Sequence, residues 1–312
     1  MSDLPLKGVV LSGGKGTRLY PSTLVACKQL LPVFDKPMIH YPLSLLLLQR
    51  IREILFITNP EDLGAMKRLL GTGEQFGAKF SYITQSEPRG IADGLALAEE
   101  FLAGSPVCFL LGDNILFGQD VRHAMSEAGK IIRTENSAVI FGYRVSDPQN
   151  FGVITFGSDG SVIEVVEKPA APKSTWASIG VYFFPGDVAG YAKKVVPSKR
   201  NELEITEVHR QYIEENRLRA IKLGRGTAWL DTGTPEAIME AGNFLHAIEK
   251  RQGLKVYCPE EVAFRSGLIS SEELLRQIED ISSSSYRGYL LRIIDEERAE
   301  PRSGHLAGAN LF

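Results

Sequence analysis

The chain has 312 residues, 44% hydrophobic and 23% charged, with 35 Lys and Arg against 38 Asp and Glu and a formal net charge of −3. This length fits one large domain or a domain with an appendage and suffices for a sizeable core. The near balance of charge excludes a broadly cationic nucleic-acid binder, and no uncharged apolar run reaches the roughly 18 residues of a membrane span. The richest stretch, Met38 to Ile57, is broken by Arg50, Arg52 and Glu53, and Met1–Lys7 leads into only Gly-Val-Val-Leu, too short for a signal-peptide core. A cytoplasmic address is expected. Cys27, Cys108 and Cys258 show neither zinc nor dithiol spacing and are expected as reduced thiols.

In chain order, short Val/Ile/Phe-rich runs alternate with stretches of helical spacing, the pattern of an α/β protein with a mainly parallel sheet. Strands are expected at Gly8–Leu11, Ile54–Thr58, Phe80–Ile83, Val107–Leu111 and Ala138–Tyr143, and helices at Met38–Gln49, Glu61–Leu70, Gly90–Phe101 and Val121–Thr134. These alternations predict a doubly wound, Rossmann-like layer over about residues 1–145, with ligands outside the carboxyl ends of its strands. The polar loops Ser12–Arg18 and Gly112–Asn114 fall at such ends. Beyond about residue 145, shorter strands at Gly152–Phe156, Val162–Val166 and Ala177–Phe184 suggest hairpins and a sheet extension. A helix is expected from Thr234-Pro235, an N-cap followed by proline in the first turn, with Ile238, Ala241, Phe244, Leu245 and Ile248 on its core face. Residues 253–294 read as a helical appendage containing Ser271–Asp280 and Tyr286–Ile294, and 295–312 as a flexible tail.

The loop Leu11-Ser12-Gly13-Gly14-Lys15-Gly16-Thr17-Arg18-Leu19 follows the first strand directly. Its glycines let backbone N–H groups approach phosphate oxygens, and Arg18 offers a guanidinium fork to the same anions. Alone, such a loop is more often a plain tight turn than a phosphate site, and it has neither Walker nor dinucleotide-fingerprint spacing. Asp113 and Asp231 are hard oxygen ligands of the kind Mg²⁺ takes, and each also reads as a local cap. Glu167 beside Lys168 also fits a surface ion pair. The five histidines, His40, His123, His209, His246 and His305, are scattered without ligand spacing or an adjacent nucleophile, so no zinc or His–Ser mechanism is expected.

Gly-Gly-Lys-Gly-Thr-Arg-Leu (13–19), Lys-Gln-Leu-Leu-Pro (28–32) and Lys-Pro-Met-Ile (36–39) together resemble the signature of the sugar-1-phosphate nucleotidylyltransferases. The match continues through Leu-Gly-Asp-Asn (111–114), Val-Glu-Lys-Pro (166–169), Gly-Val-Tyr (180–182), Glu-Leu-Glu-Ile-Thr (202–206), Trp-Leu-Asp-Thr-Gly-Thr (229–234) and Arg-Gln-Gly-Leu-Lys (251–255), and covers about residues 6–291. Within that family it is similar to the glucose-1-phosphate thymidylyltransferases. The resemblance implies transfer of dTMP from dTTP to glucose 1-phosphate with Mg²⁺, giving dTDP-glucose and pyrophosphate, the first step toward dTDP-deoxysugars such as rhamnose. It implies that the phosphate oxygen attacks in line, a reaction that needs alignment and charge neutralisation without a protein nucleophile.

Carried over position by position, the resemblance assigns Arg18, Lys28 and Lys168 to catalysis and Asp113 and Asp231 to the metal. Gly13, Gly14, Gly16, Thr17, Gln29, Gln85, Pro88 and Gly90 fall to the nucleotide, and Phe151, Gly152, Glu167, Tyr182 and Arg200 to the sugar phosphate, in a sugar-binding part at about 146–252. Gln85 is the expected partner of the pyrimidine edge, since an amide both donates and accepts. The resemblance further implies a homotetramer and feedback by an end-product dTDP-sugar at Gly118, Glu260, Glu261 and Arg265. Glu261 and Arg265 also fit an i,i+4 helix pair.

The chain departs from the family at Cys27 (serine), Phe151 (tyrosine), Ser178 (valine), Glu207 (aspartate) and across Arg89–Gly94, where an acid becomes Arg89 and an amide becomes Asp93. These changes leave open another sugar 1-phosphate, or UTP in place of dTTP. A non-catalytic nucleotide-sugar sensor is the rival of a different class. The presence of Arg18, Lys28, Asp113, Lys168 and Asp231 argues against it.

Overall fold

A computed structural model describes residues 4–14, 16–279, 281–282 and 284–299. β1 (Lys7–Ser12) is a half-buried lysine followed by five buried residues, as befits a strand covered on both faces. A small hairpin of β2 (Pro32–Val33) and β3 (Lys36–Pro37) leads into α1 (His40–Leu48), which is buried at every position. Next come β4 (Glu53–Thr58), α2 (Leu63–Leu70), β5 (Lys79–Thr84), α3 (Ile91–Leu97), α4 (Glu99–Leu102) and β6 (Val107–Leu111). The single helix expected over 90–101 is therefore two. β7 (Ile115–Phe117), α5 (Gln119–Thr134) and β8 (Ala138–Arg144) complete the first half.

The second half runs β9 (Gly152–Phe156), β10 (Val162–Glu167), β11 (Trp176–Phe184), α6 (Val188–Ala192), α7 (Ile205–Glu214), β12 (Leu218–Lys222), β13 (Ala228–Leu230) and α8 (Pro235–Gln252). The Thr234 side chain accepts from Ala237 N at 3.2 Å, fixing the start of α8, and Gly253 at φ 69° ends it. α9 (Pro259–Arg265), α10 (Ser271–Glu279) and α11 (Ser285–Ala299) form the appendage.

One sheet of nine strands organises the molecule, in the order β10-β9-β11-β6-β1-β4-β5, with β8 branching from β11 and β12 from β8. β5, β4, β1 and β6 are mutually parallel, with Gly8 opposite Ile54 and Cys108. At β11 the pairing turns antiparallel, toward β6, β8 and β9. Val10, Phe56, Cys108 and Leu110 enter a core with α1, α5 and the appendage, whereas Val9, Leu11, Leu55 and Phe109 face α3, α6 and α7. Helices on both faces of a largely buried sheet give the doubly wound architecture expected from the alternation.

The appendage packs back on the first half: Gln277 Nε2 donates to Gln75 O at 2.6 Å, and a Cβ on Gly77 would stand 2.2 Å from Leu268 O. α11 extends through residues 295–299, which the sequence placed in a tail. The i,i+4 pair Arg292–Glu296 (2.8 Å) and the Arg265–Glu296 pair (3.5 Å) support that last turn. Residues 300–312 of the expected tail lie outside the described residues. Among the described residues no helix is long and apolar enough to cross a membrane.

Candidate active site

The glycine loop leaves β1 with Gly14 at φ 109° and Gly16 at φ 54°. Asn59, just past β4, holds it from both sides: Gly14 N donates to Asn59 Oδ1 at 3.3 Å and Asn59 Nδ2 donates to Gly14 O at 3.2 Å. Asp62 receives Asn59 Nδ2 (3.2 Å) and Cys27 N (3.0 Å), tying the segment before Lys28 to the same anchor. Burial, reinforced by the Asp62 charge, pushes the Cys27 thiol up to about 11, so no thiolate nucleophile stands here. Asn59 and Asp62 lie outside the motifs, and nothing in the sequence singles them out.

Lys28 is buried and its Nζ lies 2.8 Å from Asp113 Oδ2. Thr232 Oγ1 donates to Asp113 O at 2.9 Å, so the residue next to Asp231 is fastened to Asp113. Arg18 reaches the same loop: a Cβ on Gly233 would stand 2.8 Å from Arg18 Nη2 and 3.2 Å from Asp231 Oδ1. Four of the expected residues, from distant parts of the chain, thus converge at the carboxyl ends of β1 and β6. Ser12 Oγ and Gln29 Oε1 are buried there without a hydrogen-bond partner among the described residues. No group of three or more His, Cys, Asp or Glu with metal-holding geometry occurs among the described residues. Two carboxylates suit a hard ion that completes its shell with phosphate and water.

Beside the glycine loop, a Cβ on Gly13 would stand 2.8 Å from Gln85 Oε1. Gln85 Nε2 donates to Asp93 Oδ2 at 2.8 Å and to Gly90 O at 3.3 Å. Gly90 has φ 116°, and its Cα faces Leu203, whose N donates to Arg89 O at 2.6 Å and whose O accepts from Ala92 N at 3.1 Å. Thr17 and Pro88 are exposed at the rim. On the other side, Glu167 of β10 lies opposite Gly152 of β9, and Lys168, exposed at φ 42°, donates its backbone N–H to Phe151 O at 2.9 Å. A left-handed lysine is strained backbone, common at functional positions. Burial, with Glu204 nearby, raises the Glu167 carboxyl against the opposing pull of Lys168 and Arg200.

Arg200 is not a lone cation. It pairs with Glu167 (3.4 Å), Glu202 (3.2 Å) and Glu204 (3.5 Å), so it meets a surplus of carboxylate where sequence reading left it for a phosphate. Tyr182 is buried near Phe109, Phe184 and His209, and burial pushes its phenol far up, so it stays protonated. Trp229, quoted in a motif without a role, contacts Phe151 edge-on at 5.0 Å and donates Nε1–H to Asn114 Oδ1 at 2.6 Å.

The residues expected at a regulatory pocket are engaged within the chain. Glu261, 5% exposed, accepts from Arg265 Nε (2.7 Å) and from the Tyr289 hydroxyl, and Glu260 accepts from the Tyr286 hydroxyl at 2.5 Å. These bonds fasten α9 to α11. Gly118 packs elsewhere, where a Cβ would stand 2.6 Å from Gly226 O.

The nucleotidyl transferase family matches residues 7–248. The chain is 44% identical over 289 residues to the glucose-1-phosphate thymidylyltransferase of Neisseria gonorrhoeae, covering 93% of this chain and 99% of the relative. It is 42% identical over 292 residues to that of Mycolicibacterium smegmatis, covering 94% and 100%. Among solved structures, a Bacillus anthracis protein described as a candidate glucose-1-phosphate thymidylyltransferase, with sucrose bound, superposes with TM-score 0.71 at 36% identity over 77% of this chain and 95% of that one. A UDP-glucose pyrophosphorylase bound to UDP-glucose shares the fold with TM-score 0.70 at 21% identity, covering 80% of this chain and 100% of that one.

Proposed function

Because the chain belongs to the nucleotidyl transferase family, among its glucose-1-phosphate thymidylyltransferases, we propose that the converging loops join dTTP to glucose 1-phosphate, releasing pyrophosphate. A sugar-phosphate oxygen forms a bond to the α-phosphorus in line as the bond to the β-phosphate oxygen breaks, and the electron pair leaves with pyrophosphate. No protein nucleophile is needed, so the chain's work is alignment and charge neutralisation. The observation that most supports this reading is the fastening of Thr232 to Asp113 O, with Lys28 on the Asp113 carboxylate and Arg18 beside Asp231.

In this reading the glycine-loop backbone, Arg18 and Lys28 take the triphosphate, Gln85 the base and Lys168 the sugar phosphate. Glu167 accepts from hexose hydroxyls, walled by Phe151 and Trp229. Asp113 and Asp231 would hold Mg²⁺, which supplies charge neutralisation for the phosphates. The nucleotide part is about residues 1–145 and the sugar part about 146–252. A cytoplasmic homotetramer and feedback by an end-product dTDP-sugar belong to the same reading.

Pyrophosphate release from dTTP, glucose 1-phosphate and Mg²⁺ tests the assignment, and absence of turnover with every hexose 1-phosphate would refute it. One observation favours a second sugar: Ser178 lies beside the Gly152–Glu167 pair, since a Cβ on Gly152 would lie 3.8 Å from Ser178 Cβ and 3.2 Å from Glu167 Oε2. Relative kcat/KM across sugar phosphates separates the two.

A further inference from the structure

We propose that Asp93 is a positioning residue for base selection, holding the Gln85 amide so that its carbonyl oxygen alone faces the nucleobase; this rests on the placement of the base at Gln85 given above. Gln85 and Asp93 are 4% and 9% exposed, so their polar atoms must find partners within the protein. Gln85 Nε2 meets two groups, the Asp93 carboxylate at 2.8 Å and the Gly90 carbonyl at 3.3 Å. Both are acceptors only. Turned over, the amide would set its own oxygen against both of them and leave its two N–H donors aimed at the ligand. The carboxylate therefore locks one of two amide orientations that are equal in shape and opposite in hydrogen-bonding sense.

Asp93 is itself held. It lies in the first turn of α3, and Arg89 Nη1 is 3.6 Å from its second oxygen. The locked amide directs Oε1 toward Gly13, and no described residue donates to it. An acceptor at that point takes a base with a ring N–H, the imide edge shared by thymine and uracil. Cytosine presents a ring acceptor there and is repelled. An amide in place of Asp93 would pair with either orientation of Gln85 and lock neither. The carboxylate thus gives the pocket a fixed polarity that Gln85 alone does not provide.

The experiment compares kcat/KM for dTTP and dCTP, with glucose 1-phosphate and Mg²⁺, in the wild type and in Asp93→Asn, Asp93→Ala and Asp93→Glu. The dTTP:dCTP ratio is expected to fall at least about tenfold in the Asn and Ala variants and to be largely kept by Glu, which retains the acceptor-only carboxylate. KM for glucose 1-phosphate is expected to stay constant throughout. A merely structural Asp93 would lower both nucleotides by one common factor, and an unchanged ratio in Asp93→Asn overturns the proposal. A wild type that turns over dTTP while Asp93→Asn keeps its ratio refutes the role of Asp93 alone; a wild type inactive with dTTP refutes the function and the role together.

Discussion

Replacing Gly90 by alanine tests the join between the loop after β5 and the segment that enters α7. Gly90 sits at φ 116° and ψ 173°, where a side chain costs on the order of 1–3 kcal/mol. The added Cβ would stand 2.5 Å from Leu203 O and 2.7 Å from Leu203 N, well inside contact distance and against backbone that cannot rotate away. Relief requires parting Leu203 N from Arg89 O (2.6 Å) and Ala92 N from Leu203 O (3.1 Å), at about 0.5–1.5 kcal/mol for each bond. The sum is about 2–6 kcal/mol. For a chain of this length, unfolding entropy of about 2.1 cal/mol/K per residue turns that into a Tm lower by about 3–9 °C. Displacing Gly90 also removes its carbonyl from Gln85 Nε2, so KM for dTTP should rise while KM for glucose 1-phosphate holds. Thermal unfolding and steady-state kinetics on one preparation read both effects. A variant with unaltered Tm and unaltered dTTP KM would show that the approach of Gly90 to Leu203 does not position this loop.

Asp231→Ala and Lys168→Ala should each leave the fold intact by circular dichroism and lower kcat by about 10²–10³, since both residues are exposed and their truncation empties no core position; undiminished turnover in either variant would remove that residue from the mechanism. Lys28→Met takes away the 2.8 Å partner of Asp113, and dTTP kcat/KM should drop about 10²-fold or more; a full rescue by extra Mg²⁺ would instead assign Lys28 to metal affinity alone. Burial holds His209 neutral, its imidazolium pKa pushed down to about 3. The unfolded chain gains a proton below about pH 6.5 that the native chain refuses. Stability contributed through this group is therefore complete above pH 6.5 and falls by about 1.4 kcal/mol per unit between pH 6.5 and 3. Urea unfolding of His209→Phe should show a shallower acid limb than the wild type, and parallel limbs would contradict the assignment.

The parallel block was legible because burial on both faces writes itself as short apolar runs: Lys7–Ser12, Glu53–Thr58 and Val107–Leu111 each lie within a residue of the strand read from composition. The glycine loop and the two aspartates were legible because they occupy compact motifs. What escaped was made by tertiary contact. Arg200 is surrounded by Glu167 from β10 and by Glu202 and Glu204 from its own loop, an encounter that depends on how the extension folds back. Glu261 and Arg265 did form the i,i+4 pair that their spacing suggested, but their tie to Tyr289 and Glu296 required knowing that α11 crosses α9. β13 is three half-buried residues, too short for any period, and its place comes from pairing with β7.

The proposed reaction, with no protein nucleophile, depends on where two phosphates are held, and the residues assigned to it gather where the pairing of the sheet changes direction. β6 is parallel to β1 on one side and antiparallel to β11 on the other, so the residues just after it are reached from both halves of the molecule. Gly180 of β11 makes the approach possible: a Cβ there would stand 2.3 Å from Asn114 Nδ2 and 2.7 Å from Leu111. Asn114 in turn donates to Asp113 Oδ1 at 3.2 Å and accepts from Trp229 Nε1 at 2.6 Å. Asp113 is thereby held by Lys28, by Asn114 and through it Trp229, and by Thr232 through its carbonyl. In the proposed reading the separation of the two half-sites is set by strand register, and Gly14 takes the position that Asn59 gives it.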